Sequence, residues 1–357
     1  MKLVEDRQYD NARDFIDAVL LSGDEGCIFR GVNDANYDLT PKIARPKILK
    51  KIREKIKSSS VPKYHGIPGN DELHAIIFYE NHLIRTFYNN YIMANLPPIN
   101  LDASAHESLL SLTGSRQGEL PYSVRYTGNI NPHYWPVLSR MQHLGVETRL
   151  LDWSYNPAVA AFFATSLNVG HNNEQADLIA VWQVNTRFIR KLGAFSKVYP
   201  YNEIQELMAR SKDNSNIPND SLRINKICVY HPPPSNNENI DAQKGVFTLT
   251  SMFSFDTDSK PTSCLDGAER FDLIKVLQKS VHCLSERQTE RVAPFLTEYP
   301  PVVCHKLSSE FAPEVRNNLK KLGFAGFSLL REGVSVRNLM QDEIENWLNS
   351  RVFFEID

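Results

Sequence analysis

One stretch, HLGVETRLLDWSYNPAVAAFFAT at residues 143–165, constrains the fold of this 357-residue chain more than any other. Leu150, Leu151 and Trp153 form a short apolar run that closes at Ser154-Tyr155-Asn156-Pro157. There Asn-Pro fixes a turn, and Pro157 suits the first position of a helix. The residues that follow, Ala158, Val159, Ala160, Ala161, Phe162, Phe163 and Ala164, are apolar all round, the pattern of a helix enclosed by its domain. A strand, a tight turn and a buried helix are therefore expected. The N-terminus of that helix offers backbone N–H groups and the positive end of a dipole, so an anionic group such as a phosphate is expected near Asp152, Trp153 and Ser154. His143, Thr148, Arg149 and Asp152 add polar groups to a core segment, which is unfavourable unless they are paired or used. Two readings stay open: Arg149 and Asp152 pair with other side chains around a core Trp153, or the cluster binds a ligand.

Upstream, Phe15, Ile16, Val19 and Leu20 have helical spacing within residues 11–22, and Gly23 ends the pattern. Cys27–Val32 reads as a strand with Arg30 in an otherwise apolar run. Its guanidinium is half of a buried ion pair, an edge-strand side chain in water, or a fixed fork for a phosphate or carboxylate. Gly31 beside it lets a ligand or a second backbone approach. Between 42 and 63 nine basic residues face the single acid Glu54, while Ile48, Leu49, Ile52 and Ile56 supply one apolar stripe. This predicts a basic amphipathic helix with a Ser58-Ser59-Ser60 linker after it. Either it is a solvated helix face, or Lys47, Lys50, Lys51 and Arg53 touch a phosphate backbone.

Helices are expected over 71–94 and 134–144, with a turn-rich region and a short helix at 104–112 between them. After the central stretch, 177–184 and 227–230 read as strands, 185–210 as mostly helix, and 242–250 as a strand with Gln243 at its mouth. Residues 271–277 and 302–307 are expected to be strands, and 310–322 and 334–348 helices. The composition is that of an ordinary globular protein, with a net charge of −2, so nucleic-acid binding would have to come from a local patch. No apolar run is long enough for a bilayer and the first residues lack signal-peptide character, so a cytoplasmic protein without a membrane partner is expected. Five scattered cysteines contain no CxxC pair. His282-Cys283 and Cys304-His305 do not suit a zinc site, because neighbours on a strand face opposite ways; no metal is expected.

The block TRLLDWSYNPAVAAFFA, residues 148–164, resembles the central motif of the FRG-domain family. That family is named for a Phe-Arg-Gly near its start, supplied here by Phe29-Arg30-Gly31. Ala242-Gln243-Lys244-Gly245-Val246-Phe247 and LKKLGFAGFSLL at 319–330 also look like the family, in family order. The resemblance implies a single domain over 1–340, with a helical insertion at about 42–140 and a C-terminal extension at 341–357.

More remotely, the order of parts is similar to the ADP-ribosyltransferases. This implies an α+β fold with an ADP-ribosyltransferase-like mixed β core. By that resemblance Arg30 holds a phosphate of NAD, Ser154 precedes the second motif's helix, and Gln243 stands where a glutamate or glutamine orients the nicotinamide ribose. Arg30, Asp152 and Gln243 are then the catalytic set. Gly31, Thr148, Arg149, Trp153 and Ser154 join Arg30 around the cofactor, NAD. A neutral amide cannot act as a base at neutral pH, so Asp152 is the group to take a proton from the acceptor. The families' associations imply a toxin of a toxin–antitoxin or antiviral defence system, restrained by an antitoxin protein. The basic run and Tyr155 favour nucleic acid as acceptor, single-stranded RNA above DNA. Two alternatives remain: a non-catalytic nucleotide- or nucleic-acid-binding module, and an NAD-cleaving hydrolase. No GxGxxG follows a strand and no phosphate-loop motif occurs, which argues against a conventional dinucleotide fold.

Overall fold

Alternation organises the centre of the sheet. In the strand Leu178–Asn185, Ile179 and Val181 enter one apolar cluster while Ala180 and Val184 enter others on the opposite side. A strand with both faces covered needs apolar residues at nearly every position, as DLIAVWQV supplies. A computed structural model describes residues 2–22, 26–58, 71–99, 101, 109, 134–165, 176–193, 227–232, 238–250, 271–282, 284, 286–297 and 300–324.

The strands are β1 (Val4–Tyr9), β2 (Cys27–Val32), β3 (Leu150–Ser154), β4 (Leu178–Asn185), β5 (Ile227–Tyr230), β6 (Gly245–Thr250) and β7 (Val302–Ser308). They form one seven-stranded mixed sheet in the order β1-β7-β4-β2-β3-β6-β5. β1 runs parallel to β7 and every other pairing is antiparallel. With its helices this makes an α+β fold. Every residue of β2 pairs with β4 and every residue of β3 pairs with β6, yet only Phe29 and Ser154 pair across β2 and β3. The sheet is therefore open along its middle beyond that pair.

The helices are α1 (Ala12–Leu21), α2 (Pro46–Ser58), α3 (Asp71–Met93), α4 (Trp135–His143), α5 (Pro157–Ala164), α6 (Thr186–Gly193), α7 (Glu238–Ala242), α8 (Leu273–His282), α9 (Glu286–Thr297) and α10 (Ala312–Lys321). α1, α5 and α10 pack with Cys27, Phe29, Ile179, Val181 and Leu307. α6, α8 and α9 cover Ile28, Leu151, Trp153, Val184 and Val302. α2, α3 and α4, which lie between β2 and β3 in the chain, form a third cluster that closes on Leu150, Phe247 and Leu249. The apolar stripe of the basic helix is buried there through Leu49 and Ile52.

Local chemistry explains most boundaries. Asn11 caps α1 by accepting from Asp14 N at 2.9 Å, and Asn185 caps α6 by accepting from Arg187 N at 2.9 Å. Two sequence expectations are corrected. Residues 273–282 are helix and not strand, because Asp272 Oδ1 accepts from Ile274 N at 2.8 Å and Lys275 N at 3.0 Å and so nucleates α8. β1 was not anticipated: VEDRQY lacks apolar alternation, being an edge strand held by its ladder and by Lys306–Asp6 at 2.7 Å. The expected linker after Ser58, the short helix at 104–112 apart from Leu109, the helix beyond 193, the helix at 334–348 and the extension at 341–357 lie outside the described residues.

Candidate functional site

The opening between β2 and β3 is where Arg30 lies. Its Nη1 donates to the main-chain oxygen of Asp152 at 2.7 Å and stands 3.4 Å from Asp152 Oδ2. β2 is flanked on both sides in the sheet, so the reading of Arg30 as an edge-strand arginine in water is corrected. Its side chain is 17% exposed against 53% for Asp152, so the carboxylate faces solvent. Gln142 Nε2 donates to Asp152 Oδ2 at 2.7 Å, and Thr148 Oγ1 donates to Gln142 Oε1 at 2.6 Å. Thr148 Oγ1 in turn accepts from Leu150 N at 3.2 Å. A polar chain thus runs from the start of β3 through α4 to Arg30, and it fixes the carboxylate. Thr148 itself is fully buried, so its role is to orient Gln142 and not to touch a cofactor.

A second guanidinium, not singled out by the sequence reading, is that of Arg45, which follows the turn Lys42–Ala44. Arg45 is exposed as a residue, yet neighbouring protein and then the charge of Arg30 lower its pKa below the ordinary arginine value, with Tyr37 and Asp152 acting the other way. Pairing across the sheet also sets Trp182, half-buried, directly beside Arg30 on the same face. Its place in DLIAVWQV looks like ordinary core, which hides it from the sequence.

Several expected contacts are used up inside the fold. An added Cβ on Gly31 would meet the Ala160 oxygen at 1.9 Å and the Ala164 nitrogen at 2.5 Å. The close approach that Gly31 permits is therefore with the backbone of α5, and its expected contact with a cofactor is corrected. The N-terminus of α5 has no amide to offer an anion either. Pro157 has none, Ala158 N donates to Asn156 Oδ1 at 3.0 Å, and Val159 N and Ala160 N donate to Asn156 O. Asn156 N donates to Ser154 Oγ at 2.9 Å and Tyr155 N to Lys244 O at 3.1 Å. The anion site expected there is corrected for that reason: the Asn-Pro cap satisfies the first turn itself.

Arg149 is fully buried, with Nε donating to Glu80 Oε2 of α3 at 2.6 Å and Glu80 equally sealed. It is a structural ion pair and not a cofactor ligand, the first of the two readings for this residue. Trp153 is 3% exposed and donates from Nε1 to Thr248 Oγ1 at 2.8 Å, so its ring is core and offers no stacking face. Ser154 Oγ donates to the Gln243 main-chain oxygen at 2.5 Å, and Ser154 is buried. The serine therefore ties the end of β3 to the turn before β6, where Lys244 adopts the left-handed φ of 46°. Gln243 is half-buried in that turn.

Tyr155 stacks on His231 with centroids 5.6 Å apart and planes at 8°, and its hydroxyl is 3.3 Å from His231 Nε2. Burial, and then Arg190, holds the His231 pKa down, whereas burial raises that of Tyr155. One face of the Tyr155 ring is therefore covered by His231. On α2, Lys47, Lys50, Lys51 and Arg53 are exposed, with Lys50 3.9 Å from Glu54, whereas Lys42 is tied to Glu147 at 3.6 Å. Among the described residues no cluster of three or more metal-ligating side chains occurs, and no helix is long and apolar enough to cross a membrane.

The family model described as the FRG domain matches residues 104–173. The match supports an FRG domain in this part of the chain. The match takes in β3 and α5, the two elements that the central stretch encodes, together with Gln142, Thr148 and Asp152. Phe29-Arg30-Gly31 and Gln243 lie outside the matched residues, so their part in the site rests on the tertiary contacts. No curated protein and no solved structure matches it.

Proposed function

We propose that the chain is an NAD-dependent ADP-ribosyltransferase, binding the diphosphate at Arg30 and orienting the nicotinamide ribose with Gln243. The observation that carries this reading is the adjacency of β2, β3 and β6: β2 bears Arg30, β3 bears Asp152 and Ser154, and the turn before β6 bears Gln243. Ser154 joins the end of β3 to that turn directly by its hydrogen bond to Gln243 O. In the transfer, the bond from the ribose carbon to nicotinamide breaks with its electron pair leaving on the nicotinamide nitrogen. The acceptor's nucleophile bonds to that carbon, and its proton passes to the half-exposed Asp152 carboxylate. Gln243 supplies a neutral hydrogen-bonding amide and no base.

Nucleic acid, single-stranded RNA in particular, is the acceptor that suits the exposed cations of α2 and the rings at Tyr155. Modification of mRNA would block translation, a toxin's activity, and an antitoxin protein would restrain it. One observation favours a second reading: the shortest contact of Arg30 is to a main-chain carbonyl in the sheet opening, as in a structural role. The protein is then a non-catalytic nucleotide- or nucleic-acid-binding module. Purified chain mixed with labelled NAD and, separately, RNA, DNA and cell protein distinguishes these. Label transfer supports the proposal, release of free ADP-ribose alone makes the protein a hydrolase, and binding without turnover makes it a module.

A further inference from the structure

Gln142 stands in the last turn of α4, and the chain reverses immediately after it. Gly145, at a left-handed φ of 86°, lets Val146 N donate to Met141 O at 3.0 Å and Gly145 N to Gln142 O at 3.0 Å, the two bonds of a Schellman close. The reversal lays Thr148 against the side chain of Gln142. Thr148 Oγ1 accepts from Leu150 N, at the start of β3, at 3.2 Å, and its own proton goes to Gln142 Oε1 at 2.6 Å. With its oxygen occupied, the amide turns its nitrogen to the carboxylate, and Nε2 donates to Asp152 Oδ2 at 2.7 Å. A flipped amide would set oxygen against oxygen there. The backbone of β3 thus decides which way Gln142 faces. Oδ2 also lies 3.4 Å from Arg30 Nη1. Among the described residues Oδ1 takes no hydrogen bond, and the side chain is 53% exposed.

We infer that Gln142 is a positioning residue that holds Asp152 by Oδ2 and so leaves Oδ1 as the atom that receives the acceptor's proton. The inference rests on the proposed transferase reading and names the oxygen and the partner through which its base works. As nicotinamide departs with its electron pair, the acceptor's O–H or N–H bond gives its own pair to the new bond at the ribose carbon, and the proton passes to Oδ1. An exposed carboxylate left to rotate meets a nucleophile in few of its orientations, so fixing one oxygen aims the other. Arg30 does not supply that constraint, since 3.4 Å is longer than a good charge-assisted hydrogen bond. The bond at 2.7 Å from Gln142 does. When Arg30 engages a diphosphate, Gln142 therefore keeps the carboxylate in place.

Kinetics on the full chain with labelled NAD and each of RNA, DNA and cell protein as acceptor, together with magnetic resonance of the glutamine side-chain amides, tests this. Gln142→Leu keeps the size without a donor, and Gln142→Glu keeps the shape but sets an oxygen against Oδ2. Both are expected to lower kcat for transfer by about tenfold to a hundredfold, with KM for NAD within about twofold of the parent. Thr148→Val should follow them, and Thr148→Ser, which restores the hydroxyl, should recover the parent kcat. The Gln142 amide protons, assigned by their absence in Gln142→Leu, should exchange with water slowly in the parent and faster in Thr148→Val and Asp152→Ala. Parent-level kcat in Gln142→Leu and Gln142→Glu, with NAD turnover present, overturns the positioning role and leaves the NAD reading standing. A raised KM for NAD at unchanged kcat does the same and makes Gln142 a binding group. Amide exchange as fast in the parent as in the variants overturns the hold on Oδ2. A parent that turns over no NAD overturns the NAD reading and, with it, the proton-accepting role of Oδ1.

Discussion

Arg149, the residue just before β3, donates from Nε to Glu80 on α3 at 2.6 Å with both side chains shut off from solvent. This pair joins the helices between β2 and β3 to the strand that carries Asp152, so it governs the site without belonging to it. Removing one partner strands a buried charge. Arg149→Ala or Glu80→Ala is expected to lower stability by about 3–5 kcal/mol. The double replacement Arg149→Met with Glu80→Leu should recover much of that loss. Urea unfolding of the three variants checks this, and single variants as stable as the parent would contradict the account.

Gly31→Ala is predicted to destabilise the fold by about 1–3 kcal/mol or more, because its Cβ would run into the α5 backbone at 1.9 Å. Thermal unfolding measures the loss. If Gly31 instead served only to admit a ligand, the variant would unfold like the parent and lose binding alone.

Arg30→Ala is expected to keep the fold and to reduce NAD turnover by about tenfold to a hundredfold, with Arg30→Lys nearly as poor because a point charge does not reproduce the fork. Gln243→Ala should depress both NAD cleavage and transfer, while Asp152→Asn should affect transfer more than cleavage. Kinetics on radiolabelled NAD separates the two steps. Parent-level transfer by Asp152→Asn would remove this carboxylate from the chemistry.

His305 makes stability depend on pH. Buried between Tyr9 and Gln183, it has Nε2 3.1 Å from Gln183 Oε1, and Gln183 Nε2 is already committed to Ser22 O at 2.9 Å. Nε2 is therefore the donor, and Nδ1 accepts from the Tyr9 hydroxyl at 2.9 Å. Burial, then Arg7, pushes its pKa from 6.5 down to about 4. Since the unfolded chain binds this proton first, the stabilisation is complete above about pH 6.5 and is lost as pH falls toward about 4. At about 1.4 kcal/mol per unit this amounts to about 3 kcal/mol. Urea titrations across that range should show the fall, and His305→Gln should flatten it.

Charge reversal of Lys47, Lys50, Lys51 and Arg53 to glutamate is expected to weaken single-stranded RNA binding and modification. It should also flatten the salt dependence by about 0.7 per lost phosphate contact in a log–log plot. The apolar stripe that docks α2 is untouched, so the fold should survive. Fluorescence anisotropy over a salt series reads the slope; the same slope in parent and variant would mean that these cations face only water.

The strand, turn and helix at 150–164 were legible because each is encoded locally: an apolar run, an Asn-Pro cap and an all-apolar helix leave few alternatives. The same holds for Cys27–Val32 and for the apolar stripe of α2. The run at 271–277 misled the sequence reading since an apolar run fits a buried helix or strand equally, and only the Asp272 cap decides between them. The fates of Thr148, Arg149, Trp153 and Gly31 depended on what arrived opposite them: Gln142, Glu80, Thr248 and the α5 backbone. Those partners are distant in sequence or separated by a turn, and a polar residue in a core segment looks alike whether it meets a counter-charge or a ligand. Arg45 is one charge among nine basic residues in its stretch, and only the turn pinned to the loop before β3 fixes its backbone. Local periodicity and capping chemistry are short-range and therefore written in the chain, while pairing of buried polar groups is long-range and is decided only when the sheet has brought its strands together.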